Sequence, residues 1–207
     1  MKCYIPVFTL LLALGQSPTI RTTQDDAAVY DAVIEHTLRD SFQRHDGASA
    51  NGARATIWLV GRTIPVCDTA RDAALGCIEQ SDVGMTLTYS RTVEPIPPEG
   101  LPNAAALAEL TADFRSRNGA SRELPTPHAE GVRVLTAEEL REVQQRLFNG
   151  QRASYASFSL PAYSSDGYAV VRVGYVCGNV CGYWWLILLK KVDSKWQVQG
   201  RLLLGIA

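Results

Sequence analysis

The chain has 207 residues, of which 46% are hydrophobic and 20% charged, and its formal net charge is −1. That balance supports a packed core and lacks the basic excess a nucleic-acid interface requires. It also gives no electrostatic reason to bind an anionic membrane surface.

Met1–Gly15 reads as an export leader. Lys2 opens it, Ile5–Leu14 is apolar, and Ala13-Leu14-Gly15 fits the small-x-small cleavage rule. The apolar run is too short to span a bilayer, and no later run is both long and free of polar residues. The expected mature protein is residues 16–207, one domain, secreted or periplasmic, with no membrane span once the leader is removed.

Asp25–Arg44 has the spacing of an amphipathic helix. Val29, Tyr30, Val33, Ile34, Leu38 and Phe42 form its apolar stripe, and Asp25-Asp26 complement the dipole at its start. Ala55–Val60 and Val83–Tyr89 read as strands, with an irregular stretch between them that carries Cys67 and Cys77. Glu94–Pro102, with four prolines, is a stiff connector. Asn103–Arg117 is a second helix burying Leu107, Leu110 and Phe114, and Asn118-Gly119 stops it. Val132–Leu135 is a short strand. Thr136-Ala137-Glu138-Glu139 is a capping box opening a third helix, which buries Leu140, Val143 and Leu147.

The last fifty residues organise the rest. Tyr155–Ala162 alternates, with Ala156, Phe158, Leu160 and Ala162 on one side, and Pro161 belongs at a strand end or edge. Tyr168–Cys177 puts Ala169, Val171, Val173 and Tyr175 on its more apolar face. Tyr183–Val192 is apolar on both faces as far as Lys190, the pattern of a central strand. The last strand is expected to turn Trp196, Val198, Leu202 and Leu204 inward and Gln197, Gln199 and Arg201 outward. The fold class is α+β: a C-terminal four-stranded antiparallel meander packed with about three helices and short N-terminal strands.

Five cysteines become four when Cys3 leaves with the leader. An even count in an exported chain reads as two disulfides. Of the three possible pairings, Cys67–Cys77 and Cys177–Cys181 is the one chosen, because Cys177 and Cys181 flank a tight turn between adjacent strands. A thiol-redox protein using Cys177 and Cys181 is the competing reading, although such thiols usually sit at a helix start in Cys-x-x-Cys. No cofactor or metal site is readable. His36, beside Glu35 and near Asp40, and His128, in a Pro-rich loop, are the candidates for an enzyme of unrecognised class. No nucleophile motif or phosphate-binding glycine loop accompanies them.

Aromatic side chains are the remaining candidates. Trp184 and Trp185 are adjacent on a strand and must point to opposite faces. With Tyr175, Tyr183 and Trp196 nearby, they form a candidate binding surface, unless helices cover both faces of the sheet.

The motif order includes Val29-Tyr30, Ala112-Asp113-Phe114 with Asn118, and the capped helix at Thr136. Phe158-Ser159-Leu160-Pro161-Ala162-Tyr163-Ser164 follows, then Gly174-Tyr175-Val176-Cys177-Gly178 with Cys181-Gly182, and last Lys190-Lys191 with Lys195-Trp196. In this order the chain resembles a family of uncharacterised secreted bacterial proteins with a C-terminal Cys-Gly hairpin and a Lys-x-x-x-Trp turn. It departs from them in ending Leu204-Gly205-Ile206-Ala207, where they end in a Trp-Ser pair. The resemblance implies the fold and the compartment and carries no activity. The function expected is an exported, non-catalytic domain that binds an unknown protein or envelope component.

Overall fold

The computed structural model describes residues 23–46, 55–65, 100–178 and 180–206. The leader, Cys67, Cys77 and the expected strand Val83–Tyr89 lie outside the described residues. Helix α1 (Thr23–Val33) runs through one π-helical segment, Ile34–Leu38, into α2 (Arg39–Asp46). Among the described residues, two further helices follow, α3 (Ala104–Arg117) and α4 (Ala137–Phe148). The strands are β1 (Ile57–Val60), β2 (Val132–Leu135), β3 (Tyr155–Phe158), β4 (Ala162–Tyr163), β5 (Tyr168–Gly178), β6 (Cys181–Val192) and β7 (Lys195–Ile206). They form one mixed sheet in the order β2-β1-β3-β5-β6-β7, with β4 paired to β5. The expected α+β class and the antiparallel meander β3-β5-β6-β7 are both present. The short strands join it differently: β1 pairs in parallel with both β2 and β3.

Helices cover both faces of the sheet. The stripe Val29, Tyr30, Val33, Ile34, Leu38 and Phe42 is fully buried against Phe158, Val171, Val173, Tyr175 and Ile187. The π-helical segment inserts into that stripe. Its extra residue keeps Leu38 and Phe42 on the sheet although they fall out of step with simple helical spacing. On the opposite face, Ala106, Leu110 and Phe114 of α3 pack on Val170, Leu186, Leu188 and Leu202. Val143 and Leu147 of α4 close a smaller cluster with Leu135 and Ala153. Asn103 caps α3, and Thr136 with Glu139 makes the capping box of α4. Among the described residues, no helix is long and apolar enough to cross a membrane.

Tyr155–Ala162 is not one strand. Ala156 and Phe158 face α1, whereas Ala162 faces α3. The ladder runs on through Ser159, whose N–H donates to the Arg172 carbonyl at 3.0 Å, and breaks at Leu160-Pro161, where Pro161 has no N–H to give. The Asn118 side chain takes over there, accepting from the Leu160 N–H at 2.7 Å and donating to the Leu160 carbonyl at 3.0 Å. Both polar groups of a buried backbone unit are thus satisfied without a partner strand. The β6–β7 turn places Asp193 and Ser194 at φ 47° and 66°, the left-handed pair that matches the twist of a two-residue hairpin.

One buried polar cluster ties the layers together. The Asp26 carboxylate accepts from the Tyr163 hydroxyl at 2.7 Å and from the Arg117 guanidinium at 2.7 Å. Arg117 also donates to the Pro161 carbonyl and lies over the Tyr163 ring. Asp26, expected only as a helix-start acid, is therefore the buried link between α1, the end of α3 and β4. Its neighbour Asp25 keeps a surface role and pairs with Lys191.

Candidate functional site

Strand alternation puts Tyr175 of β5 and Tyr183 and Trp185 of β6 on the face that α1 and α2 cover. Their rings form a stack. Tyr183 and Trp185 are 5.5 Å apart and 5° from parallel, and Tyr175 lies 6.3 Å from Trp185 at 19°. The Tyr175 hydroxyl donates to the Ser41 carbonyl of α2 at 3.1 Å and fixes the helix end above the rings.

The next strand breaks the simple pattern. Leu189 pairs with Val198, but Leu188 pairs with Gly200, so Gln199 is an extra residue in β7. A bulge of this kind shifts the parity of everything beyond it. Arg201 becomes the partner of Ile187, and Leu203 the partner of Trp185. Arg201, expected to point outward, lies instead on the helix-covered face, with its guanidinium carbon 5.9 Å from the centre of the Trp185 ring. A second register shift between Trp184 and Trp185 leaves Gly205 beside Trp184. Leu202 stays on the opposite face against α3.

Beside them lies a half-open pocket of about 340 Å³, lined by Ser41, Arg44, Tyr175, Tyr183, Trp185, Arg201 and Leu203. None of the seven is acidic. α2 supplies an exposed guanidinium at Arg44, and β7 supplies a half-buried one at Arg201. Leu203, three aromatic rings and two guanidinium groups are therefore among its lining groups. Among the described residues that line it, no nucleophile is paired with a base.

Three of the five expected surface aromatics, Tyr175, Tyr183 and Trp185, line this pocket, but helices cover both faces of the sheet and Tyr175 and Trp185 are buried rather than exposed. Trp184 points to the other face, where its indole lies against Gly174 and Gly205. Trp196 is on the same face as the pocket but lies 5.6 Å from Tyr163, near the start of α1, with Lys191 over its ring. Of the pocket residues, Ser41, Arg44, Arg201 and Leu203 were missed. Gly200 beside Arg201 was the one local hint of a bulge.

The sulfurs of Cys177 and Cys181 are bonded, with their α-carbons 5.0 Å apart. Cys177 packs against the aromatic cluster, one alternation step beyond Tyr175, so the bond clips the two strands that carry Tyr175 and Tyr183. Replacing both cysteines with serine is expected to lower stability by about 2 kcal/mol, mostly through the freer unfolded chain. The drop in urea midpoint at unchanged slope checks it. Peptide mapping without reduction checks the pairing.

Neither candidate histidine, His36 or His128, is among the residues that line this pocket. His36 is exposed and lies 3.4 Å from the Thr37 hydroxyl, while its neighbour Glu35 pairs with Arg39. His128 has the partner the sequence did not reveal. Asp31 accepts from the backbone N–H groups of His128 and Ala129 at 2.7 and 2.8 Å and lies 3.2 Å from the imidazole. That arrangement caps a loop on an exposed ring. Among the described residues, no group of three His, Cys, Asp or Glu could hold a metal ion. In comparisons with known proteins, no family model, curated protein or solved structure matches the chain.

Proposed function

We propose that this is an exported, non-catalytic binding domain, and that the aromatic–arginine pocket holds a group presented by an extracellular or envelope partner. The observation that carries the reading is the bulge at Gln199. It turns a charged side chain onto the helix-covered face of the sheet and places it, with Arg44, among the residues that line the pocket. Bulges that re-aim a side chain cluster beside functional sites. The leader-like start at Met1–Gly15, the Cys177–Cys181 bond and the resemblance to secreted bacterial proteins support export. The competing histidine and thiol readings have less to stand on. His36 and His128 are not among the residues that line the pocket, and the cysteine pair sits in a hairpin rather than at a helix start.

The test uses the exported chain as bait on envelope extract, with three proteins side by side. The wild type should capture a partner. Arg44→Glu with Arg201→Glu should lose it at least tenfold, as expected when two charge-assisted contacts turn repulsive. Glu142→Arg, on the exposed face of α4, should retain it. Equal capture by the charge-reversed protein would refute the pocket as the site.

A further inference from the structure

A sheet can grow at its edge strands, because their outer N–H and C=O groups are a template for another chain. β7 is such an edge: the sheet has seven strands, and β7 ends the series on one side. It has 12 residues, against 4 for β2 at the other end. Solvent reaches β7 along its length, since only its Gly200 and Leu202 are buried, whereas β5, inside the sheet, is mostly buried. Shortness alone blunts the β2 edge. β7 is too long for that and carries other devices.

Two bulges interrupt it. Gln199 is the extra residue between Val198 and Gly200, and Leu204 is the extra residue between Leu203 and Gly205. On either side of Gln199 the pairing with β6 is regular, over Lys195–Val198 and over Gly200–Leu203. A flat strand laid along the outer edge can keep register with one of these runs but not with both, because a bulge inserts a residue that has no partner. Arg201 is the third device. It is half-buried on the helix-covered face, against Trp185. A strand beyond β7 would take the rest of that side chain out of water, which is costly for a charge. Lys195 adds an exposed charge at the start of the strand. Two copies pairing across a two-fold axis would meet each of these obstacles twice.

We infer that β7 is an edge guarded against a second copy of this chain, and that the bulges at Gln199 and Leu204, with the inward Arg201, keep the exported protein monomeric. The inference holds whether or not the aromatic pocket binds a partner. Deleting Gln199 closes the first bulge and leaves the pairs Leu189–Val198 and Leu188–Gly200, and with them the side on which Arg201 lies, as they are.

Sedimentation velocity compares the wild type with the Gln199 deletion, with Arg201→Thr, and with the two combined, each shown by circular dichroism to be folded. The wild type should stay monomeric up to about 1 mM, so that any dimer has a Kd weaker than that. The combined variant should dimerise with a Kd at least about tenfold below this limit, and each single change should fall between. If the deletion does not fold, Arg201→Thr with Lys195→Thr keeps the chain length and takes its place. Hydrogen exchange maps the contact: amides of Lys195–Ile206 should slow on association, and those of α4 should not. A wild type that dimerises with slowed β7 exchange would overturn the inference. So would a folded combined variant, or its stand-in, that remains monomeric, and so would association that leaves β7 exchange unchanged.

Discussion

Asp26→Ala should lower the stability of the protein by about 3 kcal/mol, the low end of the range for removing one partner of a buried ion pair. The low end applies because the Arg117 side chain remains 21% exposed and recovers some hydration, whereas Asp26 is 3% exposed. The loss includes a second component, because the buried Tyr163 hydroxyl is left without its acceptor. Urea unfolding followed by circular dichroism measures the effect. A change below 1 kcal/mol would show that the cluster does not hold α1 to β4.

The same cluster sets an alkaline limit. Burial, then the neighbouring Asp26 carboxylate, pushes the phenols of both Tyr163 and Tyr30 well above the ordinary tyrosine range. The folded state therefore keeps these protons to higher pH than the unfolded chain does. Stability is complete below the unfolded value of about 10 and falls as pH rises beyond it, by about 1.4 kcal/mol per pH unit for each phenol. Unfolding curves at pH 9 and pH 11 should separate accordingly. Tyr163→Phe should show the shallower slope, since one of the two phenols is gone.

Tyr175→Ala is the other large effect, at about 4 kcal/mol. Tyr175 is fully buried, touches both Phe42 and Trp185, and its hydroxyl anchors the Ser41 carbonyl. Tyr175→Phe separates the two contributions, because it keeps the ring and deletes only the hydrogen bond, worth about 1 kcal/mol. Urea midpoints of both variants at equal slope give the comparison. A Tyr175→Phe loss as large as that of the alanine variant would mean that the anchor on α2, rather than the ring, holds this end of the fold.

What the sequence revealed follows from the range of its signals. The stripe from Val29 to Phe42, the Thr136 capping box and the alternation of β5 and β6 are local patterns, and the structure contains all of them. The π-helical segment at Ile34–Leu38 left only a faint trace, the drift of Leu38 and Phe42 away from the stripe set by Val29 to Ile34, which a four-residue spacing masks. Parallel pairing of β1 with β2 and β3 was hidden for another reason: it joins Leu59 to Ala156 across nearly a hundred residues. Asp26 likewise looked like a helix-start acid because Arg117 and Tyr163, its partners, are remote in the chain. The pocket was half visible. Tyr175, Tyr183 and Trp185 share a face by simple alternation, but Arg201 reached it only through the bulge at Gln199, where a period of two gives the wrong side.

We propose that the partner docks where β6, β7 and α2 meet. Ile206 is 65% exposed and pairs with Tyr183, which places it beside the pocket. The most direct measurement puts the photo-cross-linker p-benzoylphenylalanine at Ile206, and in a second protein at Gln145 on the exposed face of α4, in cells that export the chain. The account predicts a discrete cross-linked species from position 206 that disappears when Arg44 and Arg201 are reversed in charge, and none from position 145. No product at 206, or the same product from both positions, would contradict it.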